Sequence, residues 1–259
     1  MPQAVPPDAP EPSRSAGEPL RPHPLLARYY ASEPERRRRV RAWFDETAGH
    51  YDWITQAMSF GSGHWYRRRQ LAATGIGPGS RVLDVACGTG VLAAAARPLT
   101  GPTGRAVGLD PSAGMLVRAR ARGVRELVLG IAEALPFPTA SFDLVTMGYA
   151  LRHVVDLGAT FAEFRRVLRP GGQVLVLEIT RPQSRWGFAF TRFYLGRLVP
   201  FLARAGGRAT RELFEYYWDT IDQCVPPATI LAALAEAGFA EPRREIELAL
   251  FSAYRGTAR

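Results

Sequence analysis

The chain of 259 residues contains no lysine and no asparagine, so all of the positive charge behind its net +9 is arginine. Solvated arginines on a soluble enzyme account for such an excess, and so does attraction to an anionic membrane surface. Nucleic acid fits less well, because no helix-turn-helix, zinc knuckle or aromatic-studded RNA-binding strand accompanies the charge. Cysteine is nearly absent: Cys87 and Cys224 lie far apart without metal-ligand spacing, which argues against a disulfide framework and against a metal site. No apolar run approaches the roughly 18 to 20 residues needed to cross a bilayer. The N-terminus is proline-rich where a signal peptide would need an apolar stretch, so the expected location is cytoplasmic.

What is present is 47% hydrophobic residues, enough for one large α/β domain with a buried core. Prolines at 2, 6, 7, 10, 12, 19, 22 and 24 predict a disordered tail over residues 1–32, densest to about residue 24. Residues 33–75 turn helical, with Val40, Trp43 and Phe44 and then Trp53, Ile54, Ala57 and Met58 at helical spacing, and are expected to form a cap. From residue 76 to the C-terminus strand and helix signals alternate, which predicts parallel βαβ units in a doubly wound, Rossmann-like sheet. Strands are expected at Arg81 to Ala86, Ala106 to Leu109, Glu126 to Leu129, Phe142 to Met147 and Gln173 to Ile179. The last two, near Arg243 to Leu248 and Phe251 to Gly256, should close one sheet edge as an antiparallel hairpin. Residues 181–220 interrupt the alternation with large apolar residues and spaced arginines, the composition of an interfacial helix, a lid over a greasy substrate, or a buried core helix.

The chemistry gathers at Asp84-Val85-Ala86-Cys87-Gly88-Thr89-Gly90, between a buried strand and the helix former Val91 to Arg97. Gly88 and Gly90 allow backbone conformations closed to other residues, and the next helix offers unpaired N–H groups. The spacing also satisfies the dinucleotide fingerprint, so a nicotinamide-dependent oxidoreductase is an alternative. Charge separates the two: Asp84 lies where a dinucleotide would place its pyrophosphate, and a carboxylate there repels phosphate but suits a cation. S-adenosylmethionine, with an ammonium and a sulfonium, is such a ligand. Asp110 ends the second strand about 20 residues on, where a carboxylate accepts ribose hydroxyls from either ligand. The loop Gly130 to Phe137 is placed to flank an adenine, and Gly148 after the fourth strand to line the donor pocket.

Taken together, Val82 to Gly90, Ala132 to Phe137, Ser141-Phe142-Asp143 and Val167 to Gly172 resemble the class I methyltransferases. Phe44 to Asp52 with Met58 to Gly61, Tyr149 to Asp156 and Val176 to Ile179 resemble the quinone-biosynthesis C-methyltransferases in particular, from about Val40 to the C-terminus. The resemblance implies a seven-stranded methyltransferase sheet, S-adenosylmethionine as donor, and donor contacts at Thr89, Asp110, Ile131, Ala132 and Gly148. It implies a prenylated quinol acceptor, with another lipophilic or aromatic metabolite as the alternative. Arg152, with a water, is expected to stabilise the phenolate of that acceptor; Tyr51, Asp52 and His153 are further candidates beside it, His153 as general base. Peripheral membrane contact and a homodimer are the assemblies expected. The chain departs from the family at Ile131, where a polar residue is usual, at Val91 for an acidic residue, at Gly148 for serine, at His153 for asparagine and at Tyr254 for histidine.

Overall fold

A computed structural model describes residues 18–49, 51–52, 62–182, 184–204 and 207–259. Seven strands form one sheet: β1 (Arg81–Val85), β2 (Arg105–Asp110), β3 (Glu126–Leu129), β4 (Phe142–Gly148), β5 (Leu168–Ile179), β6 (Phe239–Glu247) and β7 (Phe251–Ala258). Their order is β3-β2-β1-β4-β5-β7-β6. The first five run parallel, and β7 pairs antiparallel with both β5 and β6, as the closing hairpin predicts. After β1 the chain winds outward through β2 and β3, then crosses to β4 on the other side of β1. The strand ends between those two directions are where an open α/β sheet leaves a crevice for a ligand.

Both faces of the sheet are covered, so its strands read as near-continuous apolar runs. On one face Leu83, Val85, Val107, Val145 and Met147 pack on α5 (Leu157–Val167) and α9 (Pro227–Glu236) through Phe161, Phe164, Ile230 and Leu234. On the other, Val82, Ala106, Leu144 and Leu175 pack on α2 (Ser62–Ala72) and α3 (Val91–Thr100) through Tyr66, Leu71, Leu92 and Ala96. The two-residue period of β1 therefore turns Asp84 toward the same side as Val82, beneath α3.

One boundary differs from expectation. The tail predicted over residues 1–32 is ordered in its described part, residues 18–32. Leu20, His23, Leu26, Tyr29 and Tyr30 are buried, Leu157 N–H donates to the Leu20 carbonyl at 2.8 Å, and Val225 N–H donates to that of Pro22 at 2.8 Å. The prolines set a φ without preventing burial, and the aromatic pair supplies the area that holds the segment down. Residues 1–17 and the expected cap positions Trp53, Ile54, Ala57 and Met58 lie outside the described residues.

The cap helix α1 (Glu33–Thr47) starts at Ser32, whose hydroxyl accepts from Glu35 N–H. Its Val40 and Trp43 join Tyr29, Tyr30, Leu213 and Tyr216 in one aromatic cluster, so tail, cap and α8 (Arg208–Asp222) form a single roof. The rest of the insertion is α6 (Arg185–Phe193), a π-helical turn at Tyr194–Leu198 and α7 (Val199–Ala203). It is not a buried core helix: Trp186 is 88% exposed, and Phe190, Phe193, Phe201 and Leu202 are exposed with it. No described helix is long and apolar enough to cross a membrane.

Candidate active site

A cavity of about 360 Å³ opens at the C-terminal ends of β1, β2 and β4, under α1 and α8. Its floor is built by backbone and two carboxylates. Asp84 is only 1% exposed and sits opposite Thr146 in the β1–β4 ladder. Thr146 Oγ1 donates to it at 2.8 Å and the Ala93 N–H of α3 donates at 3.0 Å. Burial nevertheless pushes its pKa up to about 7, those two donors pulling the other way. Asp110, at the end of β2, accepts the N–H groups of Gly88 and Ser112, each at 2.8 Å, and burial lifts its pKa to about 6. Two buried carboxylates with no cation within ion-pair distance among the described residues are poised for a positively charged or hydroxyl-rich ligand.

The glycine pair divides its work. Gly88 has φ +55° and open space where a Cβ would stand, so a ligand can approach its main chain. Gly90 does not line the cavity; at φ +78° a Cβ there would meet Val124 Cγ2 at 2.8 Å and Ala119 Cβ at 2.9 Å, so its smallness serves helix packing. Ala86 and Tyr149 also have positive φ, 52° and 60°, and both line the cavity; left-handed conformations in side-chain-bearing residues concentrate where a backbone is held for function. Thr89, Ile131, Ala132 and Gly148 are all on the wall. The Thr89 hydroxyl donates to Asp52 Oδ1 at 2.5 Å, and Asp52 is in turn ion-paired to Arg122.

Above the floor the wall becomes aromatic. Phe44, Tyr51, His153 and Tyr217 face one another with ring centroids 5.4 to 6.3 Å apart, and the Tyr51 and Tyr217 hydroxyls hydrogen-bond at 2.5 Å. His153 stacks on Tyr216, whose hydroxyl meets its Nδ1 at 3.3 Å, while its Nε2 is buried without a partner. Burial and the Arg152 charge hold this imidazole well below the usual histidine range, so it is neutral at neutral pH.

Arg152 is placed differently from expectation. It is 1% exposed and absent from the cavity wall; its Nε donates to Glu178 at 2.9 Å, and Nη1 donates to Thr220 Oγ1 at 2.8 Å and the Tyr217 carbonyl at 3.2 Å. A guanidinium that buried needs a carboxylate, and Glu178, fully buried on β5, is that partner, so Arg152 reaches the acceptor space only through Tyr217. Of the described residues of the insertion, only Tyr217 lines the cavity; α6 and α7 contribute nothing to its wall. Sequence reasoning missed Arg67 and Tyr217 as wall residues and Glu178 as the Arg152 partner, whereas Glu133 lines the wall within the loop expected there. The signal for Glu178 was a lone carboxylate in the strand Val174 to Ile179, which demands a buried cation.

The sheet order, the glycine turn and the paired carboxylates define a class I S-adenosylmethionine-dependent methyltransferase. The donor fits the residues present: Asp110 for ribose hydroxyls, Asp84 for the cationic end, and Gly88 where a side chain would intrude. Comparison with known proteins narrows the class. Residues 32–247 match the model of the ubiE/COQ5 methyltransferase family, and the chain belongs to that family. It is 37% identical over 221 residues to a demethylmenaquinone methyltransferase of Symbiobacterium thermophilum, covering 81% of this chain and 88% of that protein. It is 37% identical over 203 residues to the ubiquinone/menaquinone biosynthesis C-methyltransferase UbiE of Stenotrophomonas maltophilia, covering 76% and 80%. Among solved structures, a Thermotoga maritima methyltransferase described as a possible histamine N-methyltransferase shares the fold at TM-score 0.59 and 20% identity, over 84% of this chain and 99% of that one.

Proposed function

We propose that the enzyme transfers a methyl group to a ring carbon of a prenylated quinol, demethylmenaquinol or a related benzoquinol. The observation that carries this reading is the aromatic box of Phe44, Tyr51, His153 and Tyr217, directly beside the donor floor and closed by the roof. The relatives named for menaquinone and ubiquinone synthesis agree with it. S-adenosylmethionine supplies an electrophilic methyl on a positively charged sulfur, so the protein's part is to align the two reactants and exclude water. The box holds a flat ring by its faces and edges. Neutral His153, through its free Nε2, accepts a hydrogen bond from a quinol hydroxyl and so raises electron density on the ring carbon that attacks. Tyr51 orients the same hydroxyl, and Arg152 positions Tyr217 from behind.

His153 in place of the family's asparagine favours a second reading, another lipophilic or aromatic acceptor on the same machinery. Incubation with labelled donor and a panel of quinols and phenols, with the label located by mass spectrometry, separates the two. Carbon labelling of demethylated quinols is expected; label on oxygen, or only on unprenylated phenols, overturns the quinol assignment.

The finer location belongs to the same proposal. From Ser184 to Arg204 the chain has four exposed arginines, 185, 192, 197 and 204, and no carboxylate. Counting 100° per residue and one extra residue for the π turn, Trp186, Phe190, Phe193, Phe201 and Leu202 fall within an arc of roughly 120°. An apolar stripe edged by arginine suits the anionic face of a bilayer, where a prenylated substrate resides. Sedimentation with anionic vesicles, reversed by high salt, is expected; a lipid-free dimer that buries Trp186 would instead assign the stripe to a second copy of the chain.

A further inference from the structure

We infer that Arg67 grips the carboxylate at the amino-acid end of the methyl donor; the inference rests on the donor assignment and adds a contact on α2. The donor's far end is an α-amino acid, with an ammonium and a carboxylate on one carbon. Asp84 can meet the first; for the second the floor offers backbone N–H groups and, among the described residues, no cationic side chain. Four arginines line the cavity: 36, 37, 41 and 67. Arg36 is committed, its Nη1 to Glu33 at 2.8 Å and its Nη2 to the carbonyls of Arg152 and Val154 at 3.1 and 3.0 Å. Arg37 and Arg41 are exposed on α1, at the rim.

Arg67 is half-buried and has no carboxylate within ion-pair distance among the described residues; its guanidinium carbon lies 4.5 Å from the centre of the Tyr149 ring. Tyr149 directly follows Gly148 at the end of β4, and its hydroxyl is buried with no partner. That places the cation at one particular end of the crevice. Asp110 and Ile131, which suit ribose and adenine, sit at the ends of β2 and β3, while Asp84 and Tyr149 sit at β1 and β4. The sheet order β3-β2-β1-β4 spreads these four positions in a line across roughly 14 Å of strand spacing. A nucleoside laid at the first end delivers its amino-acid end to the second. There a carboxylate on β1 and a guanidinium on α2 face the same space without touching each other, and a zwitterion carries the charges that complete both. The field of Arg67 is felt by Asp84, Tyr149 and His64 alike, as its position over that end requires.

Calorimetry with two nucleosides isolates the contact. S-adenosylhomocysteine carries the amino-acid end, and 5′-methylthioadenosine lacks it. Arg67→Ala is expected to weaken S-adenosylhomocysteine by roughly 10- to 100-fold, the range for one charge-assisted contact, and 5′-methylthioadenosine by no more than about 2-fold. Arg67→Lys should recover part of the loss, and its unchanged melting curve guards against a merely unfolded variant. Equal losses on both ligands would make Arg67 a wall residue acting through Tyr149, and no loss on either would remove it; each overturns the inference. So would an intact S-adenosylhomocysteine affinity with a raised KM for the quinol. Failure of the wild-type protein to bind either nucleoside would instead strike the donor assignment itself.

Discussion

The floor and the roof of the cavity are built on opposite plans. The floor is made of strand ends whose polar groups pair within a few residues or across one ladder: Asp84 with Ala93 and Thr146, Asp110 with Gly88 and Ser112. The roof is assembled from segments distant in sequence, residues 18–32, α1 and α8, and is held by aromatic contacts and the buried pair Arg152 and Glu178. A floor of backbone can be reused for one donor across many enzymes, while a roof of side chains can be rebuilt for each acceptor. The departures from the family divide between them: His153 joins the aromatic wall, Val91, Ile131 and Gly148 lie beside the donor floor, and Tyr254 is buried in the sheet core on β7.

The largest effect should come from breaking the roof. Arg152→Met leaves Glu178 buried and alone, and urea unfolding should report a loss of about 3 to 5 kcal/mol; turnover falls because Tyr217 loses its support. Adding Glu178→Leu to the same chain should restore much of that stability, which a direct contact of Arg152 with the acceptor would not predict for activity. If Arg152→Met folds normally and loses only turnover, the positioning role fails.

On the floor, Asp84→Asn keeps an oxygen for Ala93 N–H and removes the charge. Donor affinity should drop about 100-fold by calorimetry, roughly 2.7 kcal/mol. The same change should stabilise the ligand-free protein. The folded-state pKa of Asp84 is raised, so folding holds its proton more tightly than the unfolded chain does, and this contribution is lost as pH rises from about 4 to about 7. Above pH 7 Asp84→Asn should therefore gain on the order of 1 to 3 kcal/mol over wild type, and at pH 4 almost nothing. Equal urea midpoints at pH 8 would contradict that burial cost.

Smaller effects sharpen the boundary between the two halves. His153→Ala should lower kcat about 10-fold or more and leave donor affinity unchanged; a loss of donor binding would move His153 from roof to floor. Gly148→Ser should cost about 1 kcal/mol, because its Cβ would stand 2.7 Å from Cδ1 of the buried Leu92, whose side chain must turn aside. A melting curve collapsed by that substitution would show that Leu92 cannot turn aside.

The same division explains what the sequence made legible. Asp84, Gly88, Asp110 and the strands around them follow local rules, a period of two and a turn chemistry, and their contacts lie mostly near in sequence. The roof does not obey local rules. Arg67 sits in the run Arg67-Arg68-Arg69, where one arginine faces the cavity and its neighbour Arg68 faces solvent, a difference that only the packing of α2 creates. The stack of His153 on Tyr216 joins residues 63 apart, and the burial of residues 18–32 needs α8 and the segment near Val225 already in place. A proline-rich composition read alone points to disorder; the aromatic residues inside it decide otherwise.

The central claim is that two buried carboxylates, held partly protonated until a cation arrives, make this crevice a site for a sulfonium donor. The measurement is the dissociation constant of S-adenosylmethionine for the wild-type protein between pH 5 and pH 7.5. Because the free protein holds Asp110 and Asp84 near pKa values of about 6 and 7, affinity should rise with pH through that window, by up to about tenfold per unit for each group, and then level off. An affinity that does not change with pH, or that falls as the carboxylates ionise, would contradict the account.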